Sequence, residues 1–318
     1  MKFKFYLLAL ILLTLAYAAC GGEKNQPAAF NRAFTVISDY QTLDELAEVE
    51  RTGSWFQGIG LTESSIRENL GDYAGAVAAA YKELSWAYGM GFLKKEDLEN
   101  GLLNLLVIKD EEILISTASA IIAFLNEQWE EASASLVQFF NQEDEPDGFG
   151  TWMILVCSLE KSVKENSVNR RSAEAYKSIR ARYSQFPDYW YRGARAFSGS
   201  IAAEFAENCI NLSAQGPYSA ECRKILASYT GLKSEDGLSI KTKKEIESII
   251  SQSVNTGNPQ ILDSLLPLIS LPDNPYTVYA VGALRTLSNV PRFRDYFNMQ
   301  ALSAKGRLAD RLLYISRG

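Results

Sequence analysis

Residues able to do acid–base chemistry are plentiful in this chain, but few are arranged for it. Glu204 and Glu207 lie in SIAAEFAENC, a run of mostly small and apolar residues in which a buried acid would be noteworthy. Two carboxylates across a cleft, or one Glu as general acid, are the routes open to a hydrolytic enzyme here, and the exposed edge of a helix is the plainer setting for this pair. The chain has no histidine, which removes Ser-His-Asp and Cys-His nucleophilic arrangements and every metal site built on imidazole. The acidic stretch NQEDEPDG offers Glu143, Asp144, Glu145 and Asp147 as oxygen ligands, yet it lacks the alternating spacing and distal Glu of a calcium loop and reads as a solvated turn. Gly53, Gly58 and Gly60 in RTGSWFQGIGLTESS have no Gly-Lys-Ser/Thr ending and no preceding strand, so a phosphate-binding loop is not expected. No catalytic residue, metal or cofactor is assigned, and the expectation is a protein without chemistry of its own.

The elements that would position any site are helices. Apolar residues recur at three and four spacing over 72–88, 112–125, 130–140, 150–162, 171–183, 188–211, 218–229, 241–254, 259–270, 276–288 and 292–315, the signature of amphipathic helices. Breakers such as FPD at 186–188, QGPYS at 215–219 and LPDNP at 271–275 separate them. Asp188 and Asn274-Pro275 stand where an acceptor or a proline starts a helix. No stretch reads as a strand, so the fold expected is all-α.

The chain carries 32 Lys and Arg against 38 Asp and Glu, and two of the lysines fall within the first 19 residues. An acidic balance argues against nucleic acid or an anionic lipid surface as the main partner, because both are bound through clustered basic residues. Lys2 and Lys4 precede FYLLALILLTLAYAA, an apolar run shorter than the ~20 residues that span a bilayer, and this is the layout of an export signal. The TLAYAACGG stretch resembles the relaxed, spirochaetal type of bacterial lipobox, with Tyr17 at the third position before the cysteine. The resemblance implies a signal peptide over 1–19, a diacylglyceryl anchor on Cys20 and a flexible tether over 20–30. An ordinary signal peptide with a later cut, or a retained helix, are the other readings of the same residues. By resemblance to lipoprotein sorting in diderm bacteria, Gly21 in place of a retention aspartate implies the outer membrane, with the face left open. In an exported compartment Cys209 and Cys222 could bridge two neighbouring helices, a loop worth roughly 3 kcal/mol, or they could be small buried hydrophobes, as Cys157 would be.

GDYAGAVAAAYKEL at 71–84 and NEQWEEASASLVQFF at 126–140 resemble the second helix of a tetratricopeptide repeat, and YWYRGARAF at 189–197 resembles the first. Small residues such as Ala76, Ala80 and Ala132 let helices approach while Tyr73, Trp129 and Trp190 fill the space beside them. ILDSLLPLISLPDNPYTVYAVGALRTLSNVPRFRDYF looks like a HEAT or armadillo-type hairpin. The resemblance implies a right-handed α-solenoid of stacked hairpins, tetratricopeptide-like over 31–235 and HEAT/armadillo-like over 236–318. By that resemblance Asp188, Tyr191, Arg195 and Ser198 would line a concave groove, with Glu160 and Lys161 at the comparable surface of the preceding repeat, although most aromatic rings are expected to be helix packing. The function implied is a lipid-anchored envelope scaffold that binds a protein or peptide segment. An accessory ligand-holding component of a solute transporter is the alternative, and a peptidoglycan-cleaving enzyme a more remote one.

Overall fold

The computed structural model describes residues 39–108, 112–140, 148–165, 168, 170–232 and 239–318. Cys20 with its leader and tether, the acidic turn holding Glu143, Asp144, Glu145 and Asp147, and the expected boundary at 235/236 lie outside the described residues. Those residues form seventeen α-helices, one 3₁₀ helix and no strand, so the protein is all-α. They group into two compact units, the first running to Phe197 and including Gln215–Tyr218, the second made of Ser198–Ala214 and Ser219–Gly318.

The first unit contains α1 (Asp39–Arg51), α2 (Ile59–Asn69), α3 (Tyr73–Gly89), α4 (Lys95–Ile108), α5 (Glu112–Leu125), α6 (Trp129–Phe139), α7 (Phe149–Lys164), α8 (Arg170–Ser178), α9 (Arg180–Tyr183) and α10 (Pro187–Ala196). Successive helices pair, α2 with α3, α5 with α6 and α6 with α7. The centre is α3, which touches α2, α4, α5, α7 and α10 and is buried almost all round from Ala76 to Ala87. Its sequence YAGAVAAAYKELSWAYG has small residues where other helices close in. Asp72 caps it by accepting from the Gly75 N–H at 2.9 Å. A long-range contact joins α1 to α9.

Beside α3 runs a column of rings. Phe149 stacks on Trp152 with centroids 4.9 Å apart, Trp152 on Tyr183 at 5.7 Å, and Tyr176 on Tyr189 at 4.8 Å. The last two tyrosines lock α8 to α10 reciprocally: Tyr176 Oη donates to the Tyr189 carbonyl at 2.7 Å and Tyr189 Oη to the Tyr176 carbonyl at 3.1 Å. Burying such rings with their hydroxyls satisfied fixes helix positions as well as adding apolar area.

The second unit contains α11 (Gly199–Leu212), α12 (Ser219–Tyr229), α13 (Lys243–Thr256), a 3₁₀ helix (Pro259–Leu265), α14 (Leu266–Ser270), α15 (Pro275–Leu287), α16 (Pro291–Ser303) and α17 (Arg307–Ser316). Thr242 and Glu245 form a reciprocal capping box on α13, and the same Glu245 receives Arg223 of α12. Arg311 of α17 donates to the carbonyls of Ile269 and Leu271 at 2.6 Å each, satisfying acceptors left open at the end of α14.

Several expectations are corrected in detail. The single helix expected over 188–211 is two, because Phe197 and Ser198 are extended and Gly199 takes a φ of 61°, a left-handed backbone that suits glycine. The helix expected over 292–315 is also two: α16 ends at Ser303 because Ala304 turns extended, and Gly306 (φ 60°) stands immediately before α17. The segment 259–270 tightens into a 3₁₀ stretch before α14, where Pro267 cannot donate to the turn before it. Asp188 is not a cap: Phe186 takes the N-cap position and the Asp188 carboxylate pairs with Arg192 instead. Helices α1, α2 and α4 have no counterpart among the periodic segments. The α1 face turned inward is Thr42, Leu46, Val49 and Glu50, so half of its buried stripe is polar and hides from an apolar count.

Candidate functional site

Most of the groove residues implied by the tetratricopeptide resemblance meet at α10 of the first unit. Asp188 sits in its first turn and Arg192 one turn later, with Arg192 Nε donating to Asp188 Oδ1 at 3.1 Å. Arg192 Nη1 donates to Glu160 Oε1 on α7 at 3.0 Å, and Arg195 Nη2 lies 3.4 Å from the other Glu160 oxygen. Asp188, Glu160 and Arg192 are all buried, and Arg195 is about one-third exposed. The Arg192 guanidinium lies over the Trp129 ring, 5.1 Å from its centroid. Two carboxylates and two guanidiniums thus neutralise one another where removal of any one would strand a buried charge. Burial alone would weaken the Arg192 cation; Asp188, Tyr218 and Glu160 outweigh it and hold that cation well above its ordinary range.

Above this cluster is a cavity of about 240 Å³ whose walls include Tyr81, Ser85 and Tyr88 of α3, Asp188, Tyr191 and Arg192 of α10, and Tyr218. The Tyr218 ring stacks on Tyr191 with centroids 4.5 Å apart and meets the edge of Tyr88 at 5.7 Å. Arg195 covers a face of Tyr191 at 5.5 Å. Lys95 and Glu127 stand at the rim, both exposed. Glu127 holds a left-handed φ of 58° and closes α5 as glycine usually does, its N–H donating to the Phe124 carbonyl at 3.1 Å and the Gln128 N–H to Ala123 at 2.9 Å.

Four of the six groove residues expected from sequence, Glu160, Asp188, Tyr191 and Arg195, therefore meet in one polar cluster. Lys161 is exposed and pairs with Glu130 at 3.0 Å, and Ser198 is exposed in the second unit. Arg192, which joins the four, was legible as the i+4 partner of Asp188. Tyr81, Tyr88 and Tyr218 come from distant segments, and only the fold assembles them.

A second polar cluster lies on another face of α3. Lys82 Nζ donates to Glu50 Oε1 of α1 at 2.6 Å and to Glu63 Oε2 of α2 at 2.5 Å. Arg182 of α9 pairs with Glu50 at 3.0 Å, and Arg67 with Glu63 at 2.8 Å. Burial pushes the Glu63 carboxyl up, but Lys82 and Arg67 prevail and hold it down at about 2. A cavity of about 260 Å³ opens beside it, lined by Arg67, Lys82, Arg182, Phe140 and Phe149. Next to Lys82 on the chain, Glu83 accepts the Gly58 N–H at 2.8 Å and the Gly60 N–H at 3.1 Å. The glycines at the start of α2 thus present their donors to the protein's own carboxylate.

Glu204 is exposed and Glu207 half-buried, the latter accepting from Tyr276 Oη at 3.3 Å. The bridge left open between Cys209 and Cys222 is not formed: both, like Cys157, are buried free thiols, packed in the apolar faces of α11 and α12. Burial raises the Cys157 thiol to about 12, which leaves it protonated and unreactive at neutral pH. Among the described residues there is no cluster of His, Cys, Asp and Glu able to hold a metal ion, and no helix long and apolar enough to cross a membrane. Comparison with protein-family models, with curated proteins and with solved structures finds no match to this chain.

Proposed function

We propose that this protein is a lipid-anchored adaptor of the bacterial envelope, a stack of tetratricopeptide-like hairpins that binds a protein partner and carries out no reaction. The observation that carries the reading is the α10 cavity. Its volume, about 240 Å³, is below the ~300–1,000 Å³ of sites that enclose a whole small molecule, and its walls combine tyrosine rings with a buried Asp–Arg pair. Such a recess suits one side chain of a larger partner better than a free apolar solute. Ion pairs and reciprocal tyrosine bonds hold its walls in advance, so little ordering would be needed on binding. The successive pairing of helices in the first unit supports the hairpin reading. The Cys20 anchor and the outer-membrane location rest on the lipobox resemblance.

The test is a photo-crosslinking amino acid placed at Tyr191 in the full-length chain, expressed in its envelope, with a second probe at exposed Lys305 as control. The expected result is one polypeptide crosslinked from position 191 and absent from 305. Recovery of a small hydrophobic molecule with the purified protein, and no polypeptide at 191, would replace the adaptor reading with the transport one.

A further inference from the structure

The α10 cavity carries a preference of charge. We propose that it is a cage for an alkylammonium group, filled by a lysine side chain of the partner polypeptide; only that source rests on the adaptor reading, while the cage stands on the cavity itself.

Three observations carry this. Tyrosine rings wall the space, and a ring face attracts a cation through its quadrupole. The Tyr191 face is already taken by Arg192 and Arg195 at 5.7 and 5.5 Å, and Tyr81, Tyr88 and Tyr218 complete the lining. Asp188 supplies a carboxylate that is 3 % exposed, and its bond to Arg192 engages Oδ1 alone. The two cations that also line the cavity are drawn to acids outside that lining: Arg192 to Glu160 at 3.0 Å, with its plane on Trp129, and Lys95 to Glu99 at 3.6 Å.

The tyrosine hydroxyls register the resulting field. Burial pushes Tyr81, Tyr88 and Tyr218 up, and at each of them the next influence is Asp188, raising them further and exceeding the opposing effect of Arg192. Tyr191 differs, with the two arginines ahead of Asp188. At these three hydroxyls Asp188 thus acts more strongly than Arg192, in the sense that favours a cation over a carboxylate beside them.

The test titrates the full-length protein in detergent with n-butylammonium, a mimic of the lysine side chain, with choline, and with butyrate as the anionic control, following binding by calorimetry and by tyrosine ring signals. Saturable binding of n-butylammonium and none of butyrate is expected. Tyr88→Leu, at a half-buried wall position, should weaken it at least fivefold, and Asp188→Asn at least tenfold. Because Asp188→Asn also strips Arg192 of a partner, its fold is checked by circular dichroism, and Tyr88→Leu decides the matter if that variant unfolds. Absence of n-butylammonium binding, equal affinity in Tyr88→Leu, or binding of butyrate would overturn the cage. Choline binding more tightly than n-butylammonium, and displacing no crosslinked polypeptide, would overturn lysine as the occupant. A polypeptide crosslinked at 191 in a protein that binds no ammonium sinks the cage and leaves the adaptor. Ammonium binding with no polypeptide captured sinks the adaptor and leaves the cage.

Discussion

Lys82 shows how much a single side chain can be asked to hold. Its ammonium is buried between Glu50 and Glu63, carboxylates from two different helices, so its removal leaves two acids in a dry environment with only Arg182 and Arg67 to answer them. Taking one partner out of a buried pair costs about 3–5 kcal/mol, far more than the pair contributes over an apolar replacement. Lys82→Met, close in volume and without charge, is expected to lower unfolding stability by about 3 kcal/mol, read as a lower urea midpoint. An unchanged midpoint would show that the arginines suffice. None of this could be read from the residue itself. A Lys inside AAAYKELSW looks like a solvated position on an amphipathic helix, and it is buried because α1 and α2 close over that side of α3. Asp188 and Tyr191 were legible because YWYRGARAF resembles the first helix of a tetratricopeptide repeat, whereas the tyrosines that meet them lie about a hundred residues upstream, at 81 and 88, and beyond the end of α10, at 218.

At the scale of helices, the contact of α2 with α3 is governed by Glu83 and the glycines it faces. A Cβ added at Gly60 would lie 2.7 Å from the Ala79 carbonyl oxygen, so the two backbones touch there and glycine is what the packing requires. Burial raises the Glu83 carboxyl to about 7, although the Gly58 and Gly60 N–H groups and Lys82 pull the other way. A carboxyl whose folded value exceeds its ordinary 4.5 binds its proton more tightly in the folded state, so stability falls as pH rises from about 4.5 through about 7. Glu63, held at about 2, acts oppositely: its contribution is complete above about 4.5 and is lost as pH falls towards 2. Unfolding measured across this range should show both limbs, and Glu83→Gln should flatten the neutral one while leaving the acid one in place. A neutral limb that persists in Glu83→Gln would assign it to another group. The helical class was readable from periodicity because most helices bury one apolar stripe. Helix ends were less so: α10 and α16 stop where Phe197 and Ala304 turn extended, residues with no breaker character in sequence, and α1 hides its inward face behind Thr42 and Glu50.

For the molecule as a whole, the proposed anchor makes a direct prediction. If Cys20 carries the acyl groups, Cys20→Ser should move the chain from the membrane to the soluble fraction and abolish labelling by an alkynyl fatty acid. Retention of label in that variant would place the lipid elsewhere. The chain divides into two compact units, and their make-up along the sequence has a consequence for how the protein can be dissected. The chain completes α10 in the first unit, builds α11 in the second, returns Gln215–Tyr218 to the first and then continues with α12 in the second. No single peptide bond divides one unit from the other. A fragment ending at Phe197 would take Tyr88 and Tyr191 but leave behind Tyr218, the ring that both of them touch. The two units are consequently inseparable as genetic parts: a truncation, a domain swap or a fusion made at that border removes a wall of the cavity, and the α10 cavity can be transferred intact only with α11 and the turn that follows it.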